Sequence, residues 1–159
     1  MDDMTPLHVL RRGVTRRVDL AALGPLEQLR AGRLVRRITQ LLVGLTLFGV
    51  SMALLLRAGL GLEPWGVLQY GLMTYLPLTY GQVSIAVSFV VLLLWIPLRQ
   101  WPGLGTVLNA VVIGLAIDAT LAVLGPATAW WSRTALLLAA VVLNGIAGAM
   151  YIGSQLGPG

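Results

Sequence analysis

The polar residues that could do chemistry are few, and each lies inside or beside a long apolar stretch. Asp118 stands within an otherwise uncharged run over residues 104–124. An aspartate at the centre of a membrane helix costs roughly 2.5–3.5 kcal/mol, so it should face a bundle interior or water. There it either binds a proton or cation, or is a packed, hydrogen-bonded carboxyl. Asn109 lies nine positions earlier, about half a turn out of phase, so the two side chains should not line one site.

A second group of polar residues flanks a glycine-rich break. Arg57 precedes the break and Glu63 closes it, with Gly59 and Gly61 between them and Pro64 directly after. Proline suits the first turn of a new helix, and the free N–H groups of that turn could hold an anion together with Arg57. The alternative is an ordinary interfacial turn in which the arginine reaches lipid headgroups.

A third group lies near the end of the chain. Asn144 and Tyr151 share a helix face with Gly148, and this face either lines a path or lets another helix pack closely. Packing is the favoured interpretation. Gly153 and Gly157 belong to a second glycine-rich stretch, predicted to be another helix break.

Several classes of chemistry have no residues to support them. The chain has no cysteine and one histidine, and that histidine lies outside every apolar run. These counts exclude disulfides, thiolate metal sites and a Ser-His-Asp triad within the membrane. The apolar runs also lack paired carboxylates. We therefore expect a protein that is not an enzyme, with no catalytic residues, no metal site and no cofactor.

Composition decides the class of protein that positions these residues. Hydrophobic residues make up 57% of the 159 positions, charged residues only 11%, and the mean hydropathy is +0.85. A soluble domain usually carries about 25% charged residues. The sequence predicts an all-α, polytopic helical membrane protein with an Arg-rich tail over 1–37 and a transmembrane domain over 38–159. The predicted spans are 38–56, 82–98, 104–124 and 134–156, and a short interfacial or re-entrant helix is predicted over about 64–75.

The arginines predict the orientation. Eight of the eleven arginines lie in the tail, and Arg99 would lie on the same side of the membrane. Arg57 and Arg133 would lie on the other side, a bias of nine to two. By the positive-inside rule, the N-terminus should be cytoplasmic and the protein should reside in the inner (plasma) membrane. The basic tail is expected to contact anionic lipid rather than nucleic acid.

The chain also resembles itself at an offset of 96 residues, which superposes the first predicted span on the fourth. Because three spans separate the two copies, the second would enter the membrane from the opposite side. This number of spans predicts a 3+3 inverted repeat, an architecture that recurs in transporters. The second copy lacks a counterpart to most of the first, so we expect a truncated six-span protein. The identities pair Leu47, Gly49, Ala53, Leu60 and Gly61 with Leu143, Gly145, Ala149, Leu156 and Gly157.

Three blocks of residues resemble a bacterial family. The run Gly59-Leu-Gly-Leu-Glu-Pro-Trp65, the run Leu94-Trp-Ile-Pro-Leu98 and the run Leu156-Gly-Pro-Gly159 resemble conserved blocks of the YczE/YyaS/YitT-type integral membrane proteins, closest to the YczE branch. The likeness covers about residues 36–159. It implies a multi-pass inner-membrane protein and supplies no substrate or catalytic residues.

Two functions remain open from the sequence. The inverted repeat, the broken helices and the intramembrane carboxylate favour a transporter or permease for a small solute or ion, a proton included. The alternative is a structural or regulatory membrane protein that binds a partner helix, or a second copy of this chain, through glycine- and alanine-rich faces.

Overall fold

The computed structural model describes residues 34–99 and 104–154. Every regular element in these residues is a helix, which confirms the all-α class. The helices are α1 (Leu34–Ala58), α2 (Pro64–Tyr75), α3 (Tyr80–Trp95), α4 (Leu104–Val123) and α5 (Trp130–Ser154).

Three of these helices are long and apolar enough to cross a membrane: α1, residues Gly105–Val123 of α4, and α5. A fourth crossing exists only if α2 and α3 count as one unit, and the two are bent by 113° at the break between them. The described part of the chain is therefore a polytopic helical membrane protein with three to four crossings, in line with the predicted four.

The first helix begins four residues earlier than the sequence predicts. Arg36 and Arg37 were assigned to the tail, but both lie in α1, and Arg37 is buried. Its Nε donates to the backbone oxygen of Ser154 at 2.9 Å, at the C-terminal end of α5. That carbonyl has no partner within its own helix, so a cation there is stabilising. The rest of the predicted tail lies outside the described residues.

The two longest helices, α1 and α5, pack antiparallel. At one end Arg37 caps α5, and at the other Arg133 caps α1 by donating from Nε to the backbone oxygen of Ala58 at 2.7 Å. We call these the Arg37 end and the Arg57 end of the bundle. Helix α4 runs parallel to α1 and ends at the Arg57 end, where Arg57 donates to the backbone oxygen of Leu121 at 2.6 Å.

These two caps are related by the predicted sequence repeat. Arg37 and Arg133 are 96 positions apart, and so are their acceptors Ala58 and Ser154. The buried small residues between the helices follow the same offset. In α1 they are Gly44, Ser51 and Ala58, and in α5 they are Ala140, Ala147 and Ser154. An inverted repeat requires contacts of this kind, because its twofold axis exchanges the two antiparallel helices.

Helices α3 and α4 cross where two glycines meet. A Cβ on Gly81 would overlap the backbone oxygen of Gly114, and a Cβ on Gly114 would lie 2.7 Å from the backbone oxygen of Gly81. Small residues let helix backbones approach this closely in a membrane. The crossing holds the start of α3 against α4 near Asp118.

The apolar core lies between α1, α4 and the first residue of α3. Its buried side chains surround Tyr80, which is only 2% exposed. Met73 of α2 and Tyr151 of α5 pack against this core from either side. The buried members are Leu41, Leu45, Met52, Tyr80, Ile113 and Ile117.

The short helix α2 turns back along α3 instead of continuing α1. Its first residues lie beside the distal half of α3, because Trp65 shares one cavity with Val91 and another with Trp95. Its last turn lies beside the start of α3, where Leu76 and Val83 line the same apolar cavity. The chain thus leaves α1 at the Arg57 end, descends into the bundle over residues 59–63, and returns through α2. Within the described residues α2 thus folds back beside α3, as a re-entrant helix, one of the two predicted forms, would do.

Candidate functional site

Asp118 binds the first turn of α3. One carboxylate oxygen accepts a hydrogen bond from the Thr79 hydroxyl at 2.5 Å, and the other accepts from the Gly81 backbone N–H at 2.9 Å. The first N–H groups of a helix lack intrahelical partners and carry partial positive charge, so a carboxylate is stabilised there. Asp118 is therefore a hydrogen-bonded carboxylate, which is one of the two environments that the sequence allows.

The first turn of α3 is also capped from within its own sequence. Thr79 and Gln82 form a capping box: the Thr79 hydroxyl accepts from the Gln82 backbone N–H at 3.2 Å, and the Gln82 side chain accepts from the Thr79 N–H at 3.1 Å. The Thr79 hydroxyl thus accepts one hydrogen bond and donates another to Asp118. The pattern Thr-x-x-Gln before an apolar run signals this motif, which is absent from the sequence-based predictions above.

A cavity of about 390 Å³ opens beside this cap at the Arg57 end. It contains one cation and one carboxylate, Arg57 and Asp118, together with the exposed Thr79. Because Arg57 donates to a backbone oxygen, it lies in the wall without pairing to Asp118. Its Nε is buried and has no hydrogen-bond partner among the described residues. The remaining lining residues are Leu56, Met73, Tyr80, Leu121 and Ala122.

Glu63 lies deeper, at the N-cap of α2. Its carboxylate makes no capping hydrogen bond, and both oxygens are inaccessible to solvent and lack partners within the described part of the chain. From the sequence, Glu63 is predicted to lie beside an interfacial turn or an anion site. In the structure it is instead a buried carboxylate, because residues 59–63 descend into the bundle.

Gly66 makes room for this carboxylate. A Cβ built on Gly66 would lie 2.6 Å from Glu63 Oε1 and 2.9 Å from the Tyr80 hydroxyl oxygen, so the two polar groups approach one point from either side. The Tyr80 hydroxyl is buried and has no hydrogen-bond partner among residues 34–99 and 104–154. One helical turn after Gly66, Gln69 is 1% exposed, and its Oε1 is likewise unpartnered there.

A second cavity, of about 220 Å³, lies nearer the Arg37 end, where residues from the first half of α4 line it. Trp65, two residues after Glu63, forms part of its wall together with Asn109. Asn109 and Asp118 therefore line different cavities, as their helical phase predicts. The other lining residues are Ser88, Val91, Leu92, Trp95, Thr106 and Ala110.

The candidates on α5 lie apart from these cavities. Asn144 is half-buried and lines none of the cavities described. Tyr151 packs on the apolar core, close to Thr106 of α4. Gly153 is the penultimate residue of α5, and a Cβ there would lie 2.6 Å from Gln40 Nε2, while the rest of the predicted break follows the last described residue. Gly157 lies outside the described residues.

The predicted break after α1 has the expected glycine geometry. Gly59 and Gly61 both have positive φ angles, of 60° and 147°, which favour glycine. Arg133 donates to the backbone oxygen of Gly59 as well as to that of Ala58. Pro64 occupies the first turn of α2. The described residues contain no group of three or more His, Cys, Asp or Glu side chains that could hold a metal ion.

Comparison with known proteins agrees with the resemblance seen in the sequence. The model of a protein family described as a family of unknown function (DUF6198) matches residues 35–159. An uncharacterized protein of Haemophilus influenzae is 37% identical over 124 residues, covering 78% of this chain and 57% of the relative. The uncharacterized membrane protein YczE of Bacillus subtilis is 34% identical over 129 residues, covering 79% of this chain and 60% of the relative.

These matches confirm the predicted kinship with YczE. The chain spans rather less than two thirds of the length of both relatives. No solved structure matches the chain.

Proposed function

Because this chain belongs to the family of unknown function DUF6198, we propose a function from its own geometry: it is a transporter or permease-like membrane protein for a small solute or ion. The observation that carries the proposal is the helix α2, which folds back beside α3 as a re-entrant helix would. The buried carboxylate of Glu63 lies at its start, close to Tyr80 of the cavity at the Arg57 end and two residues before Trp65 of the cavity nearer the Arg37 end. Transporters of inverted-repeat architecture commonly bind substrate and coupling ion beside such discontinuous helices.

The two cavities differ in the chemistry they offer. The cavity at the Arg57 end has one positive and one negative side chain, which suits a zwitterion or an ion pair. The cavity towards the Arg37 end is lined by Trp65, Asn109 and Thr106, which are neutral. Tyr80 lines the first cavity and its hydroxyl lies near Glu63, so one tyrosine separates the buried carboxylate from the charged cavity.

We further propose that the Arg57 end faces away from the cytoplasm and that the protein resides in the plasma membrane. Arg57 and Arg133 both bind helix C-termini at that end, and the arginine-rich N-terminal stretch precedes α1 at the opposite end. The Arg37 side has nine arginines and the Arg57 side has two, so the positive-inside rule favours a cytoplasmic location for the Arg37 end.

One observation favours the alternative, a protein that acts through partner helices. A Cβ on Gly145 or Gly148 of α5 would meet nothing within 4 Å, so this small-residue face is unoccupied by the described residues. Such a face suits close helix packing. It is also compatible with a transporter, since transporters bury similar faces between their repeats.

Cysteine labelling tests the transport proposal, and the chain contains no native cysteine. We expect Thr79→Cys, at the Arg57 end, to react with a membrane-impermeant maleimide added to the outside of intact cells. Asn109→Cys, in the opposite cavity, should react only from the cytoplasmic side, which is exposed in inverted vesicles. Thr46→Cys is the control, because Thr46 is exposed on the outer surface of α1, where lipid should shield it.

The same variants can be used to measure ion flux. Currents across a supported bilayer containing the purified protein should appear under a sodium, potassium or proton gradient, or when zwitterionic amino acids are added and move together with one of these cations. Maleimide should block the currents at Thr79→Cys. Absence of labelling at both cavities, with no current under any gradient, would contradict transport and favour the partner-binding alternative.

A further inference from the structure

The carboxylate of Glu63 is buried, and no described residue compensates for its charge by a hydrogen bond. Both oxygens are inaccessible and neither accepts a hydrogen bond within the described residues. A charged carboxylate removed from water without partners costs several kcal/mol. Asp118, in contrast, accepts two hydrogen bonds. A bound proton or other cation would remove this cost.

Two further buried oxygen atoms in this part of the bundle also lack partners among the described residues. The Tyr80 hydroxyl and Glu63 Oε1 both lie within 3 Å of the position that a Cβ on Gly66 would occupy. Gln69 lies on the same buried face of α2, and its Oε1 is unpartnered in the described part of the chain. Tyr80 and Gln69 are 2% and 1% exposed. A cluster of oxygen atoms with one negative charge suits a hard cation with one positive charge.

We propose that Glu63 and Tyr80 form a binding site for one monovalent cation, a proton or an alkali-metal ion, at the start of the re-entrant helix. The glycine at position 66 keeps the space open, since any larger side chain would overlap the carboxylate. Gln69 supplies a further oxygen from the next turn. The other charged groups nearby are Arg57 on α1 and Asp118 on α4, which line the adjoining cavity with Tyr80.

Binding at this site is independent of transport, whereas the use of the cation as a coupling ion rests on the proposed function. A cation that enters from the charged cavity passes Tyr80 before it reaches Glu63. Neutralising the carboxylate would remove the cost of burying the start of α2. The cation should therefore stabilise the re-entrant conformation by mass action.

Infrared difference spectroscopy of the purified full chain in detergent tests the site directly. The probes are sodium or potassium against choline at constant pH, and a titration from about pH 6 to about pH 10 without alkali metal, a range in which solvent-exposed carboxyl groups stay ionised. A glutamate carboxyl band that responds to sodium or potassium identifies an alkali-metal site. A band that responds to pH alone identifies a proton site. Both results support the proposal and decide between its two ligands.

Three variants assign the signal. Glu63→Gln keeps the side-chain size and should abolish the response, whereas Glu27→Gln, the same change at the only other glutamate, should retain it. Tyr80→Phe removes one oxygen and should weaken cation binding about tenfold or more, since hydrogen bonds to charged groups are worth this much. Tyr80→Phe also keeps the test decisive if Glu63→Gln fails to fold, because it leaves the carboxylate in place.

Several results would overturn the site. These are a glutamate band unaffected by alkali metals and by pH over the whole range, a response that survives in Glu63→Gln, or an unchanged affinity in Tyr80→Phe. Failure of the transport proposal gives a different pattern: the band responds and depends on Glu63, yet no current crosses the bilayer. Currents that persist in Glu63→Gln would contradict the use of the cation as a coupling ion and leave transport standing.

Discussion

At the residue scale, Asp118 shows how a carboxylate is stabilised inside an apolar helix. Its two hydrogen bonds come from the Thr79 hydroxyl and the Gly81 N–H, which are separated from it by 39 and 37 positions along the chain. Both donors belong to the positive end of α3, so the helix dipole adds to the hydrogen bonds. Asp118 thereby fixes the start of α3 as well as forming part of the charged cavity.

We expect Asp118→Asn to lower the free energy of unfolding in detergent by about 1–3 kcal/mol, because an amide can accept only through its one oxygen and leaves a donor unmatched. Thr79→Val should cost a similar amount, and the double variant should cost less than the sum. Chemical denaturation followed by circular dichroism measures all three. Thr79→Ser, which keeps the hydroxyl, is the control. Strict additivity of the two changes would contradict a direct hydrogen bond.

At the scale of elements, the crossing of α3 and α4 depends on Gly81 and Gly114. A Cβ on Gly81 would meet a backbone oxygen and the Asp118 carboxylate, neither of which can move without shifting a helix. A Cβ on Gly145 or Gly148 would meet nothing. The described helices thus contain glycines at which a Cβ would overlap a neighbouring helix and glycines that face open space. Only contacts in the folded state distinguish the two.

We therefore expect Gly81→Ala to destabilise the protein by about 2 kcal/mol or more through overpacking. Gly148→Ala should be neutral or stabilise α5 by up to about 1 kcal/mol, because alanine favours a helix over glycine. Thermal unfolding in detergent compares the two. Equal losses of stability would show that α5 packs against another helix at Gly148, which would support the partner-binding alternative.

Local patterns predicted the elements better than their contacts. The bounds of α2 follow from Pro64 and the glycines before it, and the pattern of apolar runs indicated α1, α4 and α5. The depth of Glu63 was not predictable, because a helix of twelve residues has the same pattern whether it lies at the interface or re-enters the bundle. The bond from Arg37 to Ser154 was also beyond local reasoning, since 117 positions separate its partners.

At the scale of the whole molecule, the 96-residue offset relates contacts as well as residues. Arg37 caps α5 as Arg133 caps α1, and the buried small residues between them recur every seven positions in both helices. A seven-residue recurrence keeps one stripe facing a partner helix. The contacts between α1 and α5 are those expected of the central pair of an inverted repeat, whose pseudo-twofold axis would pass between the two helices.

This pseudo-symmetry predicts paired effects of mutation. Ser51 and Ala147 are 96 positions apart, and both are fully buried between α1 and α5. Replacing either with leucine should lower the free energy of unfolding by about 1–3 kcal/mol, because the added methylenes force the helices apart. The losses should be similar, since the two positions are equivalent. Thr46→Leu and Val142→Leu are the matched controls, because these positions are also 96 apart but exposed, and both changes should be nearly neutral. A large loss at Ser51 with none at Ala147 would contradict the twofold relation, and denaturation of all four variants in one detergent decides it.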